Sequence, residues 1–74
     1  MRESTTLVNI RLRRGMTQEQ FSSLLDMHRP NLSKYERGVQ TMPLKYLSRL
    51  TKNERKVLVE AKAEDYLEEL SKYR

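Results

Sequence analysis

The sequence predicts an all-α fold of five helices, the last of them extended. Three observations carry this prediction. Apolar residues recur at spacings of three and four, the helical period, and no stretch alternates as a strand would. Two Thr-x-x-Gln/Glu patterns, Thr17 to Gln20 and Thr51 to Glu54, mark helix starts. The two glycines and two prolines each fall where a helix should begin or end.

The first helix is expected from about Thr5 to Arg14, with Leu7, Ile10 and Leu12 among its apolar positions. Gly15 suits the left-handed residue that closes it. Thr17 caps the second helix, whose buried stripe is Phe21, Leu24 and Leu25. Asp26 and Met27 make a tight turn. His28 stands at the N-cap of the third helix, and Pro30 falls in its first turn, where a missing N–H costs little. Leu32 and Tyr35 face inward, and Gly38 ends this helix. A loop, Val39-Gln40-Thr41-Met42, leads to Pro43 and a fourth helix with Leu44, Leu47 and Leu50 at spacing three. Thr51 opens the fifth, and no breaker follows before Arg74. The chain therefore divides into a core, residues 1–51, with a helix-turn-helix at 17–37, and a C-terminal helix, residues 52–74.

Composition narrows the function. The chain has 74 residues and begins with Met1, so a single small domain is expected, with a core that needs efficient packing or a partner. There is no cysteine, hence no disulfide or thiolate metal site, and one histidine cannot hold a metal alone. No metal and no cofactor is expected. No apolar run reaches the length of a membrane span or a signal-peptide core, so the expected location is cytoplasmic, with no membrane partner. Net charge is +5, unevenly spread. Residues 1–53 carry ten basic and four acidic side chains; residues 54–74 carry five and six. The basic part contains the two central helices, which points to a polyanionic partner. There is no nucleophile–base set, metal cluster or phosphate-binding glycine loop, so an enzyme is not expected.

The stretch GMTQEQFSSLLDMHRPNLSKYERG, residues 15–38, encodes two short helices around a tight turn. Residues 7–50 resemble the DNA-binding domain of the lambda-repressor/Cro-like helix-turn-helix regulators, the XRE family. Gly15, Thr17-Gln18-Glu19-Gln20, Phe21, Leu25, Met27, Leu32 and Ser33-Lys34-Tyr35-Glu36-Arg37-Gly38 carry the resemblance. It implies a five-helix lambda-repressor-like domain that inserts helix 29–37 into the major groove of double-stranded DNA. It further implies a transcriptional repressor of phage, prophage or mobile-element type, bacterial or phage-encoded. Three positions depart from the family pattern. Asp26 replaces the usual turn glycine, and Asp tolerates a left-handed backbone better than most residues. Ser22 replaces a small alanine and requires a carbonyl partner for its hydroxyl. Pro30 sits where a base contact is common and offers only van der Waals contact, as to a thymine methyl.

The resemblance also assigns roles. Gln18 approaches a phosphate and can buttress the recognition helix. Arg29 reads guanine O6 and N7 or else binds phosphate; Asn31 suits adenine, and Lys34 suits guanine or phosphate. Ser33 either lines the groove or only fills space, and His28 caps the helix or touches phosphate. Arg37, Gln40 and Thr41 are placed to grip the backbone beside the groove. Arg11 and Glu36 form a structural pair that fixes the recognition helix.

The last helix poses a separate question. Val59, Ala63, Tyr66, Leu70 and Tyr73 are spaced 4, 3, 4, 3, a heptad seam, while Val57, Leu58 and Ala61 can cover the core. A self-associating seam gives a two-fold homodimer suited to an inverted-repeat operator. The alternative is a protein-interaction module of antitoxin or anti-repressor type, whose C-terminal helix binds another protein.

Overall fold

The computed structural model describes residues 1–73. Helix α1 spans Arg2–Arg13, α2 Gln18–Leu24, α3 Arg29–Glu36 and α4 Lys52–Leu70. A 3₁₀ helix, η1, covers Leu44–Arg49, and a 3₁₀ turn, Ser71–Tyr73, extends α4. There is no strand among the described residues.

Both Thr-led starts are complete capping boxes. Thr17 Oγ1 accepts from the Gln20 N–H and Gln20 returns the bond to the Thr17 N–H; Thr51 and Glu54 do the same. Gly15 and Gly38 adopt φ of 66° and 74°, and Asp26 joins them at 56°. The turn between α2 and α3 thus uses the left-handed conformation with Asp in the place of glycine. Ser22 is buried, and its hydroxyl donates to Glu19 O at 2.9 Å, which meets the condition for serine at this helix crossing.

One core joins all the elements: Leu7 and Ile10 from α1, Phe21 and Leu25 from α2 and its cap, Met27 of the turn, Leu32 and Tyr35 from α3, then Met42, Leu47, Leu50 and Leu58. Several expectations are corrected. Helix α1 begins at Arg2, not near Thr5, because Asp65 of α4 caps it: its carboxylate accepts the N–H groups of Arg2 and Glu3 at 2.9 and 3.0 Å. The fourth helix is 3₁₀, which fits leucines spaced by three, one per turn. Leu47 and Leu50 are buried, but Leu44 is exposed. Leu12 and Val57 are also exposed, and Leu24 is half-buried. Met42, read as loop, is a core residue only 1 % exposed.

Helix α4 packs antiparallel to α1. Arg14 makes a two-bonded pair with Glu54 at one end (2.9 and 2.6 Å), and Asp65 caps α1 at the other. Leu58 and Ala61 are the buried residues of α4, and every side chain from Tyr66 to Tyr73 is exposed. The helix runs past the body, giving extents of 41 × 25 × 20 Å.

Candidate nucleic-acid interface

Glu36, at the end of α3, anchors the site. Its side chain is 4 % exposed, and both carboxylate oxygens are engaged. Arg11 Nε donates to Oε2 at 2.8 Å, and Gln18 Nε2 donates to Oε1 at 3.0 Å. Arg11 also donates to Met16 O at 3.0 Å. One carboxylate thereby ties α1, the α1–α2 connection, the first residue of α2 and the last of α3. Charge-assisted bonds of this kind are shorter and stronger than neutral ones, and few of these atoms meet water. The orientation of α3 against α2 is therefore fixed from within.

What α3 presents outward follows from its pitch of about 100° per residue. Leu32 and Tyr35 face the core. Arg29, Ser33 and Arg37 fall on one outward line, with Pro30 and Lys34 beside it. His28, Arg29, Pro30, Lys34 and Arg37 are exposed, and Ser33 is half-buried. Asn31, half-buried, lies at the edge of the face that carries Lys34, three residues from it, so less of its side chain is open than of the exposed Lys34. His28 stands at the N-cap, but its side chain makes no capping hydrogen bond, which corrects the capping role. Arg37 lies back along the helix, Nε donating to Ser33 O at 3.3 Å. Gln40 and Thr41 are exposed in the following loop. A depression lined by Arg11, Thr17, Gln18, Glu19 and Arg29 runs between the starts of α2 and α3.

Two features escaped the sequence reading. Helix η1 brings the exposed Lys45 and Arg49 beside Asp26 of the turn, around one shallow depression. Arg14 holds the Glu54 carboxyl below its ordinary pKa through their hydrogen bonds, and burial only partly opposes this. That pair seats α4 and lies in the sequence forty residues apart.

Two short helices crossing at a fixed angle, with a cationic outward face on the second and the remaining helices behind them, define a DNA-binding helix-turn-helix domain of the all-α lambda-repressor-like class. The chain belongs to the helix-turn-helix family HTH_3, XRE/lambda-repressor-like, whose model matches residues 7–53. Members are DNA-binding transcriptional regulators rather than enzymes. No curated protein and no solved structure matches the chain significantly. Among the described residues, no helix is long and apolar enough to cross a membrane.

Proposed function

We propose that this DNA-binding regulator is a sequence-specific repressor of the phage, prophage or mobile-element type, acting as a homodimer on an inverted-repeat operator. The observation that supports it best is the outward face of α3. Arg29 and Lys34 stand exposed on a helix that the Glu36 bracket holds rigid. In this reading α3 enters the major groove, and Arg29 donates two bonds to guanine. Lys34 and Asn31 read the neighbouring pairs, Pro30 packs on a thymine methyl, and Ser33 lines the groove. Gln18, with its second amide hydrogen and backbone N–H at the start of α2, takes a phosphate. His28, Arg37, Gln40 and Thr41 hold the backbone on either side. The core 1–51 reads DNA, and the C-terminal part of the chain pairs the two copies through α4.

The dimer is supported by α4. Val59, Ala63, Tyr66, Leu70 and Tyr73 are all exposed along one side, Tyr73 at 79 % and Tyr66 at 66 %. Leu67 adds to this face at 62 %. The same face supports a second reading, in which a different protein docks there as in an antitoxin or anti-repressor.

Selection of duplexes from a random pool, run with the native chain and with Arg29→Ala, tests the proposal. The expected result is an enriched inverted repeat. Arg29→Ala should lose about 1–3 kcal/mol and relax preference at one position of each half-site. A native chain that retains duplexes without any enriched motif refutes sequence reading. No retention at low salt favours the protein-docking alternative.

A further inference from the structure

We infer that Glu3 is a positioning residue for DNA binding, fixing the segment that follows the recognition helix. The inference rests on the reading of Gln40 and Thr41 as backbone contacts.

A glutamate in the first turn of a helix ordinarily stays in water. Glu3 is instead 3 % exposed. Its Oε1 accepts the Met42 N–H at 2.8 Å and faces Lys62 Nζ at 3.0 Å. Its Oε2 is buried with no hydrogen-bond partner. Burying a carboxylate and leaving one oxygen unmet is costly, and an apolar side chain of similar size would avoid that cost. What the carboxylate supplies is a fixed acceptor for one backbone N–H, with Lys62 balancing its charge.

That N–H stands at a decisive place. Met42 ends the exposed run Val39, Gln40 and Thr41, and its side chain is locked in the core. The run begins at Gly38, whose backbone passes the same turn of α1. A Cβ built there would lie 3.4 Å from Met1 Sδ and 3.4 Å from Ser4 Oγ. The three-residue strap is therefore pinned at both ends on the first turn of α1. Its near end is held by close packing and its far end by Glu3. The direction in which Gln40 and Thr41 face depends on both. Lys62 belongs to α4, so the seating of that helix also bears on the strap.

The test uses the full chain and a short mixed-sequence duplex. Glu3→Leu/Lys62→Met removes the anchor without stranding a charge; Glu3→Gln/Lys62→Met keeps the acceptor. Binding is compared at temperatures where thermal melts show each variant fully folded. The leucine variant should bind about five-fold more weakly, the loss of a hydrogen bond or so. The glutamine variant should return to within about two-fold of the native chain. Adding Gln40→Ala/Thr41→Ala to the leucine variant should cost nothing more, because the strap is already released. Fully additive losses mean that Glu3 acts on overall stability alone, and overturn the inference. A loss on Gln40→Ala/Thr41→Ala with none in the leucine variant overturns it while sparing the strap's contact with DNA. No effect of Gln40→Ala/Thr41→Ala by itself removes that contact, and the inference falls with it. Amide exchange on the native chain gives a check independent of any variant. The Met42 N–H should be protected while those of Gln40 and Thr41 exchange freely, and an unprotected Met42 overturns the anchor itself.

Discussion

Asp26 carries the turn at φ 56°, where an L side chain is strained and glycine is not. Asp is among the residues that bear this best, which is why the turn survives the substitution and was legible in the sequence. The strain remains a cost to the fold. Asp26→Gly should stabilise the domain by about 0.5 kcal/mol, the relief of strain exceeding the added freedom of the unfolded chain. A urea titration should show a higher midpoint with an unchanged slope. A lower midpoint would mean that the Asp26 carboxylate contributes a contact worth more than the strain. Other single residues were equally legible where their partners are local or part of a family pattern: Thr17 with Gln20, Ser22 with Glu19, Glu36 with Arg11. Glu3 was not. Its burial depends on Met42 and Lys62, which stand 39 and 59 positions away, and nothing in its own neighbourhood distinguishes it from a solvated first-turn acid.

At the scale of elements, the short central helices were readable because each begins with a cap or a proline and ends with a turn residue. The ends of α1 and α4 were less so, because each is completed by the other. Asp65 closes the start of α1, and Arg14, just past its end, reaches Glu54 in the first turn of α4. These contacts make the α1–α4 pair sensitive to acid. The Glu54 carboxyl is held below its usual pKa by hydrogen bonds from Arg14. Burial raises that of Asp65, but the N–H groups of Glu3 and Arg2, with the nearby positive charges, more than offset it. A carboxyl depressed in the folded state adds stability that is complete above its ordinary pKa of about 4 and disappears as pH falls through its lowered value. Acid should therefore weaken the α1–α4 pair below about pH 4. Glu54→Gln should cost roughly 1 kcal/mol at neutral pH, since the two-bonded pair is largely shielded from water. The difference between variant and native chain should shrink toward zero near pH 2. Thermal melts followed by circular dichroism across this range decide the matter. No gap at any pH would show that Glu54 acts by capping alone, a role glutamine keeps, and a gap that persists in acid would show that the loss does not come from the carboxylate charge.

For the whole molecule, the telling feature is the mismatch between what the core uses and what α4 offers. Helix–core contact is carried by Glu54, Leu58, Ala61, Lys62 and Asp65, yet the helix continues to Leu70. An isolated overhang of this kind gains little from its own hydrogen bonds, since helices of a few turns are marginal in water. Its apolar side needs a second surface to contribute anything. The heptad spacing made the exposed apolar side of the helix legible in the sequence; Leu67, off that strict spacing, is exposed with it at 62 %. Leu70→Glu separates the reading of a dimer from that of a solvated tail. Leu70 is 47 % exposed and outside the core, so the melting of the single chain should move by less than about 0.5 kcal/mol. In a two-fold interface the residue occurs twice, and burial of each leucine contributes about 1.5–3 kcal/mol. Association measured by sedimentation equilibrium should therefore weaken by at least about a hundredfold, a change of roughly 3 kcal/mol. Binding to a single half-site should be unchanged, while the advantage of an inverted repeat over that half-site disappears. A chain that sediments as a monomer with or without the substitution, and still prefers the inverted repeat, would assign the pairing of copies to the DNA and leave the face of α4 to another protein.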